Sequence, residues 1–369
     1  MPTSLTKQDL IDIANGTAFL GAGGGGTLAS ALTMIEHEFP DDATVSLLSV
    51  TEAAAAPGLT AACCFVGSET KGQDVMDPMP VSYALDRFNA LMLSSHGASV
   101  RRLAPVDIGV QGAVIPALIT AQRRGMAVVD ADGAGRAVPG LMVTTWALTG
   151  PPANPAVTAN AVASATVVIE ADTALDCHMI VNGICLANNF GVAAVVMWGT
   201  PGDALSAALP IQGTLSLARA IGAAQRTSAT PVDAVLALLA SSGVWARQIV
   251  RGTITRVDTV AQDYLQVTIQ DAAQGSTVVK TAGENLIAFG PHGTPVGMSP
   301  DALCWMTPAG RSLSNTEIAN ALHTEVVLIG VAARSPLRDP RIISLFQYFL
   351  QSKQVGYTGA YTPIEQLAV

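Results

Sequence analysis

In Val128-Val129-Asp130-Ala131-Asp132-Gly133-Ala134-Gly135-Arg136 an apolar run ends in two acids, two glycines and a cation. Residues 126–129 have the length and β-branching of a buried strand. Ligands of open α/β sheets bind just beyond the carboxyl ends of the strands. Asp130, Asp132, a flexible backbone and Arg136 are therefore expected where such a fold keeps its site. The alternative is a plain glycine turn in which Asp132 pairs with Arg136.

Upstream, Thr6 is an expected N-cap, with Asp9 in the first turn of its helix. Leu10, Ile11, Ile13, Ala14, Ala18 and Phe19 make the apolar side of that helix, which runs into a glycine-rich segment, 21–26. A second helix, 28–38, follows and ends before Pro40. Gly23, Gly24, Gly25 and Gly26 at a helix entrance let backbone N–H groups approach an anion or a carbonyl. Close helix–helix packing is the other use of such a run. No strand precedes it and no Lys-Ser/Thr pair follows, so neither a dinucleotide fingerprint nor a Walker loop is present and no nucleotide is expected. A nucleotide-dependent transferase is disfavoured on the same ground.

Strands and helices then alternate. Strands are predicted over 44–50, 61–66, 100–103, 165–170 and 193–198, and helices over 82–93, 114–124, 214–225 and 231–240. The proline-rich segment 139–155 is predicted as loop with one short strand, 143–148. After Ser241-Ser242-Gly243 the pattern changes to short β-branched runs, 247–257, 264–269, 277–281 and 286–289, with one more at 326–332. This predicts an α/β fold over 1–244, a three-layer αβα domain with a parallel or mixed sheet. A C-terminal β-rich, barrel-like domain with a mixed tail takes 245–369.

The chain of 369 residues is long enough for two cores, and half of it is hydrophobic. A charged fraction of only 13% suggests apolar surface covered by a partner or by self-association, and a homo-oligomer is expected. A net charge of −9 argues against nucleic acid. The longest apolar run, 191–198, is too short to span a bilayer, and no signal-peptide layout opens the chain, so a cytoplasmic protein with no membrane contact is expected. Five cysteines, an odd number without metal spacing, fit that compartment. Cys63 and Cys64 should face opposite sides of their strand.

With 21–26, Asp107-Ile108-Gly109, Val129 through Pro139 and Thr144-Thr145 in view, the chain resembles the S-methyl thiohydantoin desulfurase family. The likeness runs from Ile13-Ala14-Asn15-Gly16 to Glu284-Asn285-Leu286. It implies an α/β N-terminal part and a barrel-like C-terminal part. It also implies a small-molecule substrate: a hydrolase would cleave the C–S bond of an S-methyl thiohydantoin-like cyclic amide to a hydantoin and methanethiol. Members tend to accompany hydantoinase/oxoprolinase-type enzymes, which makes such an enzyme the expected partner. This chain departs from the family pattern at Thr27-Leu28 (usually Asp-Pro), at Asp107 through Gly112, at Gly140 (usually Glu) and at Met142 (usually polar). A non-catalytic ligand-binding or accessory subunit is the alternative.

The implied reaction needs a base for water, an acid, and donors for the developing charge. Asp130 or Asp132 is the candidate base and Asp107 the second acid, though each could equally be a capping or ion-paired carboxylate. Arg136 could hold a ring carbonyl or a substrate carboxylate, with Thr144 and Thr145 as further substrate-binding positions. A divalent metal is the other route, with His96, Cys177 and His178 as candidates. Asp176-Cys177-His178 is read as extended, so its side chains diverge and chelate or pair poorly.

Overall fold

The computed structural model describes residues 2–67, 77–187, 190–261 and 263–368. The first helix, Lys7–Leu20, starts as its cap predicts. Thr6 N–H donates to the Asp9 carboxylate (2.8 Å) and Asp9 N–H to the Thr6 hydroxyl (3.3 Å), a reciprocal capping box. Thr27 caps Leu28–Glu38 by accepting from Ser30 N–H. The first helix packs backbone-to-backbone on Thr214–Thr227: a Cβ at Gly16 would stand 1.8 Å from the Ala218 carbonyl oxygen. Only glycine permits that approach.

Eight strands form the first sheet: β1 Thr3–Leu5, β2 Val45–Leu48, β3 Leu59–Val66, β4 Val100–Pro105, β5 Ala127–Val129, β6 Ala156–Asn160, β7 Thr166–Ile169 and β8 Ala193–Thr200. Their order is β1-β2-β5-β4-β3-β8-β6-β7, parallel from β2 to β3 and antiparallel at both flanks, a mixed sheet. Helices cover both faces. Cys63 packs among Phe19, Phe88 and Leu118, whereas Cys64 joins Trp146, Trp198 and Val181 on the other side, as adjacent residues of one strand must. Asp107 lies just beyond the end of β4, and Asp130 follows β5 directly.

The second sheet, β9 Ala246–Ala261, β10 Tyr264–Asp271, β11 Ser276–Ala282, β12 Glu284–Phe289, β13 Pro295–Met298, β14 Ala302–Met306, β15 Ser312–Leu313 and β16 Glu325–Val331, is antiparallel throughout. It runs in the order β13-β12-β11-β10-β9-β16-β14-β15 as a curled half-barrel. Along β14, Ala302, Cys304 and Met306 join the core of the first helix, and the alternate Leu303 and Trp305 fill the sheet's own core. One strand thus welds the two units together. Among the described residues, no helix is long and apolar enough to cross a membrane.

Two expectations are corrected. Residues 143–148 are not a strand: a 3₁₀ turn, Leu141–Val143, leads into the helix Thr145–Thr149, because the Thr144 hydroxyl accepts from Ala147 N–H and caps it. Asp176-Cys177-His178 is helical, within Ala174–Leu186, whose N-cap Thr173 accepts from Asp176 N–H. The helix predicted over 114–124 is preceded by one π turn, Val110–Val114.

Candidate active site between the two sheets

The parallel strands β3 and β4 end at a cavity of about 1090 Å³. Its described lining brings together the β3 end (Cys64, Phe65, Val66, Gly67), Asp107, the loop from Val138 to Met142 and Gly25-Gly26. From the second unit come Asp263, Tyr264 and Ala282-Gly283-Glu284. Two helices, Ala174–Leu186 and Pro340–Leu350, add mostly apolar side chains.

Asp107 is half-buried at the cavity wall. Its two carboxylate oxygens accept from Gly109 N–H (3.0 Å) and Val138 N–H (3.1 Å). Burial outweighs these bonds and lifts its pKa to about 6. Glu284 opens β12 after the left-handed Gly283. Its side chain is buried, and among the described residues its Oε2 has no hydrogen-bond partner. Burial lifts its pKa to about 7, opposed by the positive charge of Arg136.

The glycine loop makes this meeting possible. A Cβ at Gly24 would stand 2.5 Å from Glu284 Cγ, and one at Gly25 would stand 2.3 Å from Gly109 Cα. The loop's carbonyls are engaged from both units: Gly25 O accepts from Gln111 and Gly112 N–H (3.0 Å each), Ala22 O from Asn285 N–H (2.8 Å) and Gly23 O from Asn315 N–H (2.7 Å). Close backbone approach is thus the visible use of Gly23–Gly26, with Gly25 and Gly26 also bordering the cavity.

The remaining candidates from the central loop sit behind the cavity. Asp130 caps Thr214–Thr227, accepting from Leu215 N–H (2.9 Å), Ser216 N–H (3.0 Å) and the Ser216 hydroxyl (2.5 Å). Asp132 is fully buried and accepts from Ala134 and Gly135 N–H (2.6 Å each). Burial pushes its pKa up to about 7. Arg136 does not pair with Asp132. It is buried and donates to Ala137 O, the Ser299 hydroxyl, Pro300 O, Asp301 O and Asn285 O, bonds of 2.8–3.3 Å. Thr144 caps its helix, and the Thr145 hydroxyl donates to Ala208 O (3.1 Å). Neither lines the cavity.

The metal candidates do not converge. His96 ends the helix Met79–His96 at the surface, beside Ser95. Cys177 is buried in the core, its thiol pushed up to about 11 by burial, which suits neither a ligand nor a nucleophile. Among the described residues no three His, Cys, Asp or Glu side chains are grouped to hold a metal ion. His178 does line the cavity, its Nε2 2.9 Å from Asn182 Nδ2, and burial lowers its pKa.

Glu284 and Asn285 were visible only as the end of a familial resemblance. The local signal was an acid just ahead of the apolar run Leu286-Ile287-Ala288-Phe289. Asn285 is the hub behind it: it accepts from Arg136 and Trp305, donates to Leu303 O (2.6 Å) and donates to Ala22 O.

Residues 8–170 match the N-terminal domain of S-Me-THD-like proteins, and residues 179–364 match their C-terminal domain. None of the curated proteins compared matches the chain. The crystal structure of a protein from Chromobacterium violaceum resembles this one with a TM-score of 0.86 at 25% identity, over 98% of this chain and 100% of that one. The two domain matches span nearly the whole length, and the chain belongs to the S-Me-THD-like family.

Proposed function

We propose that the chain hydrolyses the C–S bond of an S-methyl thiohydantoin-like cyclic amide in this cavity. The observation that carries the reading is the meeting of Asp107 and Glu284, from different sheets, at one cavity. Burial holds both carboxyl groups near neutrality, at about 6 and about 7. Asp107, whose oxygens accept two N–H groups that favour the charged form, is the one fit to be the base. Glu284 keeps more of its proton and is fit to be the acid.

Asp107 takes a proton from water as the water oxygen bonds to the ring carbon between the two nitrogens. Glu284 gives a proton to the adjacent ring nitrogen. The C–S bond then breaks with its electron pair going to sulfur, and the added oxygen loses its proton to become the hydantoin carbonyl. The sulfur takes up a proton and leaves as methanethiol. Asp132 and Arg136 act behind the cavity, holding the loop that carries Val138, whose N–H is bonded to Asp107.

Methanethiol release from an S-methyl thiohydantoin tests this, with Asp107→Asn and Glu284→Gln compared with wild type. Loss of about 10²–10⁴-fold in either variant, in folded protein, is expected for a general acid or base. Folded wild type that binds hydantoins and releases no thiol would favour the accessory-subunit reading.

A further inference from the structure

The cavity is far larger than its chemistry requires. Pockets of roughly 300–1,000 Å³ enclose drug-sized ligands, and this one, at about 1090 Å³, lies just above that range. A five-membered ring held between Asp107 and Glu284 would leave most of the space to its substituent.

Most of the rest of the wall is apolar, with Gln111, His178 and Asn182 as neutral polar exceptions. The helix Ala174–Leu186 contributes Leu175, Met179 and Leu186, and the helix Pro340–Leu350 contributes Leu345, Tyr348 and Phe349. Both helices pack on the turn that bears Met142, so the two apolar walls face one space. Four of these side chains are exposed: Leu175 at 45%, Met179 at 62%, Tyr348 at 73% and Leu186 at 81%. The acidic side chains of Asp176 and Asp263 stand in the same lining. Apolar wall favours an apolar substituent by the area it removes from water. Acidic neighbours oppose a second carboxylate in the same space.

Resting on the hydrolase reading of this cavity, we infer that its substrate is a ring bearing a bulky apolar substituent, such as benzyl or isobutyl, and that rings bearing a carboxylate are disfavoured. Met179 and Tyr348 are the specificity-determining residues. They belong to the two helices that border the cavity and leave most of their surface uncovered.

The test is calorimetric binding of 5-benzylhydantoin, 5-isobutylhydantoin and hydantoin-5-propionate, with methanethiol release measured on the matching S-methyl thiohydantoins. The apolar hydantoins are expected to bind at least about tenfold more tightly than the propionate, a difference of about 1.4 kcal/mol. Met179→Lys, a surface change that leaves the fold intact, should narrow or reverse that order. Equal or tighter binding of the propionate overturns the inference, and thiol release in that case leaves the hydrolase reading standing. Apolar preference without thiol release keeps the inference about the cavity and removes the hydrolase reading. Binding of none of the three overturns the inference, and the hydrolase reading then stands or falls on thiol release.

Discussion

Glu284 lies against Gly24 so closely that a methyl group on the glycine would stand 2.5 Å from its Cγ and Oε1. The acid of the second sheet is therefore seated by the bareness of a loop 260 positions earlier in the chain. Gly24→Ala is expected to push the carboxyl group out of place. Gly24 is absent from the left-handed residues of its loop, so alanine adds little backbone strain there. An overpacking cost of about 1–3 kcal/mol is expected, together with a fall in thiol release approaching that of Glu284→Gln. Urea unfolding and the thiol assay check the two parts separately.

Arg136 ties the central loop of the first unit to Asn285 and to the turn Ser299-Pro300-Asp301 of the second. Removing this buried charged donor leaves its carbonyl and hydroxyl partners unsatisfied, at about 1–3 kcal/mol. Arg136→Ala is expected to lose that much in urea unfolding. Arg136→Lys should recover only part of it, since an ammonium cannot reproduce the planar fork. A raised KM at unchanged stability in Arg136→Ala would instead return this residue to substrate binding.

Asp132 gives a signed pH effect. Burial holds its pKa at about 7, above the ordinary carboxylate range. The unfolded chain ionises first, so the contribution of Asp132 is fully present below about pH 4. It is lost as pH rises through the folded value of about 7. Wild type should therefore lose more stability than Asp132→Asn between pH 4 and about 7.5. Urea midpoints across that range, taken as the difference between the two proteins, provide the check. An equal slope in both would contradict the buried, proton-holding state of Asp132.

Gly16 and Gly222 let the helices Lys7–Leu20 and Thr214–Thr227 touch through their backbones, a Cβ at Gly222 standing 1.9 Å from the Asp12 carbonyl oxygen. The obstructing atoms are backbone and cannot yield by a rotamer change. Gly222→Ala is expected to cost at least about 1–3 kcal/mol. Circular-dichroism melting checks it, and a variant as stable as wild type would show that the helices can separate freely.

Local chemistry was legible wherever it was self-contained. Thr6 with Asp9 announced a helix start, 126–129 announced a strand, and Cys63-Cys64 announced two faces. The misreadings have local causes too. The β-branched Val143-Thr144-Thr145 resembled a strand until the Thr144 hydroxyl turned back to cap a helix. In Ala174–Leu186 an apolar composition hid the helical period, so Cys177 and His178 were read as extended. The site itself needed contacts that no local pattern encodes. Arg136 spends its donors about 150–165 residues away, and the burial of Glu284 depends on Gly24 and Asn285. An acid at the end of β4 was foreseeable from strand-end logic; its partner from the other sheet was not.

The most direct measurement is methanethiol release from 5-benzyl-S-methylthiohydantoin as a function of pH, by wild type, Asp107→Asn and Glu284→Gln. A base at about 6 and an acid at about 7 predict a rate maximum between these values. Each variant should lose about 10²–10⁴-fold and one limb of the profile. A folded wild type without thiol release, or variants that match its rate and profile, would contradict an active site built on Asp107 and Glu284.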